Sequence, residues 1–113
     1  MKSSALIVDD ENDIGRLLSA ILSKNEIVPL YVDGIAKAKE VLVTNDFDFC
    51  FLDVKMPDGS GYDLLQWIDL STSTTIMISA FDSEEEVKHA KSLGVEYFIG
   101  KPFSQKEILS IVL

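Results

Sequence analysis

Four apolar runs in this chain end on side chains that can do chemistry. Ala5-Leu6-Ile7-Val8 stops at Asp9-Asp10-Glu11. Phe49-Cys50-Phe51-Leu52 stops at Asp53, and Ile76-Met77-Ile78 stops at Ser79. Val95 to Ile99 leads through Gly100 into Lys101. An ionised Asp at the tip of a buried run is costly unless something compensates it. It must be paired, bind a cation, or react. Carboxylates with no His or Cys at the run ends suit a hard divalent cation, Mg²⁺ before Zn²⁺. Mg²⁺ takes one or two carboxylates, keeps waters and engages a phosphate. Asp10 and Asp53 are the candidate direct ligands, with Asp9 acting through water. A lysine and a hydroxyl nearby suit phosphoryl oxygens. An Asp can itself be the nucleophile in phosphoryl transfer. The cation and Lys101 would then neutralise the charge on the transferring group.

These side chains meet only if the intervening elements place the run ends together. Ile14, Leu17, Leu18, Ile21 and Leu22 follow the spacing of an amphipathic helix that ends near Lys24-Asn25. Ile27 to Val32 reads as a second strand, and Pro29 assigns it to an edge. Ala36 to Val43 reads as a second helix burying Ala38, Val41 and Leu42. The third strand is Asp48 to Asp53, apolar enough to be covered on both faces. After the Pro57–Gly61 turn, Tyr62 to Leu70 reads as a helix burying Leu64, Leu65 and Ile68. Thr75 to Ser79 is the fourth strand. Ser83 and Glu86 match a capping box for a helix that runs to Leu93 and stops at Gly94. Val95 to Ile99 is the fifth strand. Ser104 caps a last helix with Ile108, Leu109 and Val112 inward. Such alternation is an α/β fold: a parallel sheet with helices on both faces and its ligand site beyond the carboxyl ends of the strands.

Composition narrows the partners. The chain has 113 residues, 47% of them hydrophobic, which fits one domain with a real core. Ten Lys and Arg against 19 Asp and Glu give a net charge of −9. That balance argues against direct nucleic-acid binding by this domain and disfavours anionic membranes. No run reaches transmembrane length and the first residues form no signal peptide, so a cytoplasmic protein is expected. The single cysteine, Cys50, excludes an internal disulfide and reads as a small buried hydrophobe. His89, the one histidine, falls on the polar side of its helix and is expected in solvent, not as a phosphodonor.

Four motifs in order carry a family resemblance. They are Val8-Asp9-Asp10-Glu11, Leu52-Asp53-Val54-Lys55-Met56-Pro57-Asp58-Gly59-Ser60-Gly61, Ile78-Ser79-Ala80 and Lys101-Pro102-Phe103. Together they make the chain closely resemble, over essentially its whole length, the receiver domain of two-component response regulators, the CheY-like family. The resemblance implies a (βα)5 doubly wound sheet of strand order 2-1-3-4-5. It implies that Asp53 accepts a phosphoryl group from the phosphohistidine of a histidine kinase or phosphotransfer protein. Asp9 and Asp10 match the acidic pair that holds Mg²⁺, and the backbone carbonyl of Lys55 would complete the protein ligands. Ser79 matches the hydroxyl residue that turns toward the phosphoryl group. Lys101 matches the lysine that contacts it, before a Pro102 bond that is usually cis in relatives.

The resemblance also implies a switch. Ser79 is drawn in, an aromatic on the fifth strand follows, and the face of helix four, strand five and helix five changes partners. Phe98 holds that aromatic place, where Tyr is commoner, so its coupling would rest on packing alone. Lys55, Ala80 and Phe81 neighbour the phosphoryl site, with Lys55 and Phe81 overhanging it. The protein so read is no enzyme in the ordinary sense. It catalyses only its own phosphorylation and dephosphorylation, and it controls an output domain or a downstream protein. A hydrolase with an aspartyl-phosphate intermediate is a competing reading, but such enzymes carry an acid where this chain has Lys55. A phosphate-independent interaction module on the same fold is another, and relatives of that kind usually lack one of the key acids or the lysine. The receiver domain is expected over residues 1–113 with its last helix truncated, as in a piece of a longer regulator. An apolar Ile111-Val112-Leu113 end is a route to a homodimer.

Overall fold

The computed structural model describes residues 2–113. Its centre is a five-stranded parallel sheet built from β1 (Ser3–Val8), β2 (Ile27–Val32), β3 (Phe49–Asp53), β6 (Thr74–Ser79) and β7 (Tyr97–Gly100). The strand order is β2-β1-β3-β6-β7, the expected 2-1-3-4-5 once a small ribbon is set aside. That ribbon pairs β4 (Lys55–Met56) with β5 (Gly59–Ser60), antiparallel, directly after β3. The four α-helices among the described residues are α1 (Asn12–Lys24), α2 (Ile35–Thr44), α3 (Glu84–Ser92) and α4 (Gln105–Val112). Pro29 lies in an edge strand, where a missing amide is tolerated.

Residues alternate across the sheet and so build two cores. Leu6, Val8, Cys50, Leu52 and Met77 face one side, under Ile35, Ala38 and Leu42 of α2, Leu64 and Ile68, and Ala90 of α3. Ala5, Ile7, Phe51, Ile76 and Ile78 face the other, under Leu18, Ile21 and Leu22 of α1 and Ile108 of α4. Cys50 to Asp53 are all buried, as a strand covered on both faces must be. Burial pushes the Cys50 thiol up to about 12, so it is a packing group and not a reactive thiol.

Several sequence expectations are corrected. Gly61–Trp67 is a 3-10 helix, and Leu65 is only half-buried. Its start is fixed by the ribbon and by a reciprocal cap: Tyr62 donates its amide to the Ser60 hydroxyl, and Ser60 donates its amide to Asp63. A 3-10 helix rises about 2.0 Å per residue against 1.5 Å for an α-helix, so seven residues reach as far as about nine would. Leu17 is exposed, because the buried stripe of α1 runs through Gly15, Leu18, Ile21 and Leu22 and leaves Leu17 outside it. The Tyr31 ring packs onto Gly15 so closely that any Cβ there would strike it. Val41 is half-buried, since Ile35, Ala38 and Leu42 already make the inner stripe of α2. Ser83 does accept the Glu86 amide at 3.3 Å, but the return bond, from the Ser83 amide to the Glu86 carboxylate, is not made. The full capping box is at Ser104 and Glu107 instead. Gly94 stops α3 as expected, at φ +93°, a conformation open to glycine.

Candidate functional site

The carboxyl ends of β1, β3 and β6 and the chain after β7 deliver the expected side chains to one edge. One carboxylate oxygen from each of Asp9, Asp10 and Asp53 lies within 4.8 Å of the others. Asp9 and Asp53 are buried and Asp10 is exposed. Lys101 reaches them from across the sheet. Its Nζ lies 3.1 Å from Asp9 Oδ2, 3.4 Å from Asp53 Oδ2 and 3.0 Å from Glu11 Oε2. The Lys101 amide donates to the Ser79 carbonyl at 2.8 Å, which ties the lysine to the end of β6. The Lys101-Pro102 peptide is cis.

Local hydrogen bonds hold each acid. Asp9 Oδ1 accepts the Glu11 amide at 2.8 Å, and the Tyr31 hydroxyl donates to the Asp9 carbonyl at 2.7 Å. Asp53 Oδ1 accepts the Lys55 amide at a long 3.4 Å. The Gly61 amide donates to the Val54 carbonyl, and a Cβ on Gly61 would collide with the backbone oxygen of Asp53. Asp58, in the turn after β4, reaches sideways to α2, where its carboxylate accepts the Ile35 and Ala36 amides at 3.0 and 3.2 Å. Those bonds hold the Asp58 carboxyl below its ordinary range. The loop that shapes the site is thus also the N-terminal cap of α2, whose own Gly34 offers no side chain.

Electrostatics at the tip are strained. Burial and then the Asp9 charge push Asp53 up to about 7, against Lys101 and the Lys55 amide, which pull it down. Burial is also the main cause that raises Asp9. For Lys101, burial works against the charge, but the bond to Glu11 and the charges of Asp9 and Asp53 together raise its pKa. Asp9 Oδ2 remains without a hydrogen-bond donor among the described residues, since Lys101 approaches it as a charge and not in bonding geometry. A buried carboxylate oxygen met only by a poorly oriented ammonium, beside two more carboxylates, is what a hard cation completes. The residues therefore fit Mg²⁺.

The remaining predicted residues line the same cleft, a space of about 200 Å³ formed with Asp10, Glu11, Asp53 and Lys101 by Lys55, Ser79, Ala80 and Phe81. The Ser79 hydroxyl accepts the Phe81 amide at 3.0 Å, which leaves its proton free to donate elsewhere. Lys55 Nζ stands 5.3 Å from the centre of the Phe81 ring, a cation–π pair across the mouth. Phe98 is half-buried on the sheet face of Met77, its partner in register, and therefore on the face of Ser79 two residues on. Tyr97 points the other way and is exposed. His89 is exposed, yet its ring meets the edge of Tyr62 at 5.1 Å. Sequence reasoning gave no role to Glu11, Tyr31 or Asp58. Their partners lie 90, 22 and 23 residues away, and no local pattern reports them.

No helix among the described residues is long and apolar enough to cross a membrane. A family model for the response regulator receiver domain matches residues 5–113. The response regulator protein PilR of Pseudomonas aeruginosa is 34% identical, over 98% of this chain and 25% of that protein. The transcriptional regulatory protein GltR of the same organism is 32% identical, over 95% of this chain and 46% of that protein. The chain thus spans a quarter to a half of these relatives. The non-phosphorylated HemR receiver domain from Leptospira biflexa superposes with a TM-score of 0.85 at 28% identity, covering 96% of this chain and 90% of that one. A CheY-like response regulator receiver domain protein from Methanospirillum hungatei gives 0.86 at 21% identity, covering 99% and 91%, and so speaks to the fold alone.

Proposed function

Because the chain belongs to the response regulator receiver domain family, we propose that it is the phosphoacceptor module of a two-component system, with Asp53 as the residue phosphorylated. The observation that carries this reading is the meeting of Asp9, Asp10, Asp53, Ser79 and Lys101 at one sheet edge from four separate strands. The phosphodonor is a phosphohistidine on a histidine kinase or phosphotransfer protein. An Asp53 carboxylate oxygen forms the new bond to phosphorus as the phosphorus–nitrogen bond breaks, and the electron pair leaves with the donor's imidazole. Asp10 and Asp53 would hold Mg²⁺ directly and Asp9 through water, and the Lys55 backbone carbonyl would complete the protein ligands. When bound, the ion supplies positive charge against the transferring phosphoryl oxygens. Lys101 adds its own charge there, and the free Ser79 proton donates a hydrogen bond. The chain acts on no outside substrate; its chemistry is its own phosphorylation and dephosphorylation.

The output is a change of surface. Ser79 and Phe98 share a sheet face, so a Ser79 drawn toward the phosphoryl group frees room beside Phe98. The face of α3, β7 and α4 then presents a different shape to an output domain, a downstream protein or a second copy. Phe98 has no hydroxyl, so this coupling is steric. Residues 1–113 act as the receiver domain of a regulator working in the cytoplasm, and neither nucleic acid nor membrane is contacted by this part of it.

Incubation with Mg²⁺ and acetyl phosphate, read by intact-mass spectrometry, tests the assignment. One phosphoryl group should appear, vanish in Asp53→Asn and be suppressed by EDTA. If none appears from acetyl phosphate or from a phosphorylated histidine donor, the phosphate-independent module becomes the better account.

The Lys55–Phe81 pair should also lengthen the life of the phosphoryl group, by standing where water approaches. Phe81→Ala and Lys55→Asn are each expected to shorten the half-life roughly two- to fivefold, the rate change for about 0.5–1 kcal/mol of lost cation–π contact. Decay followed by phosphate release decides it, and unchanged half-lives in both variants would sink the idea.

A further inference from the structure

Lys101 has three acidic neighbours, and they are not alike. Two of them, Asp9 and Asp53, are buried and belong to the candidate cation site. The third, Glu11, is outside that cluster, with its side chain 58% exposed, and it makes the shortest of the three contacts at 3.0 Å. The ammonium therefore stands against two cation ligands while its best-formed bond goes to a residue that is not one of them. It also serves Asp9 poorly, leaving Asp9 Oδ2 without a donor among the described residues.

We propose that Glu11 is a positioning residue for Lys101, a holding point that keeps the ammonium at the rim and so makes Asp9 and Asp53 available to a divalent cation. The inference rests on the reading of this cluster as a Mg²⁺ site. Two positive charges cannot share Asp9 and Asp53 without repulsion. With Glu11 present, Lys101 can give up those two carboxylates and keep a carboxylate partner. Without Glu11, Lys101 has only Asp9 and Asp53 to neutralise it, and it competes for them with the incoming ion. Glu11 is well placed for this. Its amide donates to Asp9 Oδ1, so its backbone is fixed to the site, while its exposed side chain meets Lys101 at the surface.

A plain alternative is that Glu11 acts only as one more negative charge near the cation. The two accounts differ in whether Lys101 is needed. Mg²⁺ affinity, measured by calorimetric titration on the unaltered chain, Glu11→Gln, Lys101→Met and the double variant, separates them. The work should be done at about 0.15 M ionic strength, where the Debye length is about 8 Å, so charges beyond the site are screened and the Glu11–Lys101 contact is kept. Glu11→Gln is expected to weaken Mg²⁺ binding roughly three- to fivefold when Lys101 is present, the effect of one partly exposed ion pair. It is expected to change binding less than about twofold when Lys101 is Met. Lys101→Met alone should tighten binding. Equal weakening by Glu11→Gln in both backgrounds would overturn the proposal, and so would no weakening in either. Should Lys101→Met fail to fold, Glu11→Asp takes its place in the argument. It keeps the charge but shortens the reach, so it should weaken Mg²⁺ binding nearly as much as Glu11→Gln; full affinity in Glu11→Asp would favour the plain charge effect. If the unaltered chain binds no Mg²⁺, or if Asp10→Asn binds it as well as the unaltered chain, the reading of the site itself fails. That result is distinct from a normal site that ignores Glu11.

Discussion

In EDTA, Asp53→Asn is expected to be more stable than the unaltered chain, by an amount that grows with pH. The reason is the cost of ionising Asp53 beside Asp9 in a buried tip. Its folded pKa, about 7, lies above its ordinary value of 3.8, so the folded state holds the proton more tightly than the unfolded state. The stability this contributes is present below the unfolded value and is lost as pH rises through about 7. Across that whole window the loss is of the order of 4 kcal/mol, with about 2–3 kcal/mol of it between pH 5 and 8. Asp9, also raised, slopes the same way. Lys101, raised above its usual range, stays charged throughout and adds no slope. Urea melts of both proteins should show a gap at pH 8 that exceeds the gap at pH 5 by about 2–3 kcal/mol. Mg²⁺ at pH 8 should stabilise the unaltered chain far more than the variant and narrow the gap. A gap that does not change with pH would mean that Asp53 keeps its charge at no cost.

Gly61→Ala is expected to be the most damaging methyl addition in the site loop. The obstacle is not a side chain that can swing aside. The new Cβ would meet the Asp53 backbone oxygen, with Leu52 Cβ and Met77 Cε each at 3.1 Å. To make room, the chain must shift either the start of the 3-10 helix or the end of β3. Overpacking of this kind costs about 3 kcal/mol. A shift of β3 would also move Asp53 relative to Asp9 and Lys101, which face it at fixed strand ends. We therefore expect both a lower urea midpoint and at least a tenfold slower phosphorylation under conditions where the variant is still folded. Gly34→Ala is the useful contrast, because the nearest atoms to its Cβ would all belong to the Asp58 side chain, from 3.2 Å, and none to backbone. A Gly61→Ala protein as stable and as reactive as the unaltered chain would show that the loop gives way freely.

What could be read from the sequence follows from how each feature is encoded. The five strands and the site acids were legible because apolar runs ended abruptly on polar residues, and a parallel sheet gathers such ends by topology. The 3-10 helix was not legible, since Leu64 and Ile68 fit an inward face in either helix type. It follows directly on the ribbon, a two-residue pairing too short to leave a pattern. Leu17 was misassigned because periodicity counts apolar residues and cannot see that the buried stripe of α1 runs through Gly15, against the Tyr31 ring of β2. The Ser83 cap was half right: the local hydroxyl-to-amide bond formed, while the return bond depends on where Glu86 points. Asp58 and Glu11 act on residues far along the chain, and only the folded sheet brings them there.

The burial contrast within the acidic cluster has a consequence for ionic strength. Asp10 and Glu11 are exposed, while Asp9 and Asp53 are enclosed. Raising salt from 0.1 to 1 M shrinks the Debye length from about 10 to about 3 Å. The exposed pair loses most of its long-range pull on an arriving cation, and the enclosed pair keeps its own. High salt should therefore slow cation capture more than it hastens escape, so the site fills more slowly without becoming much leakier.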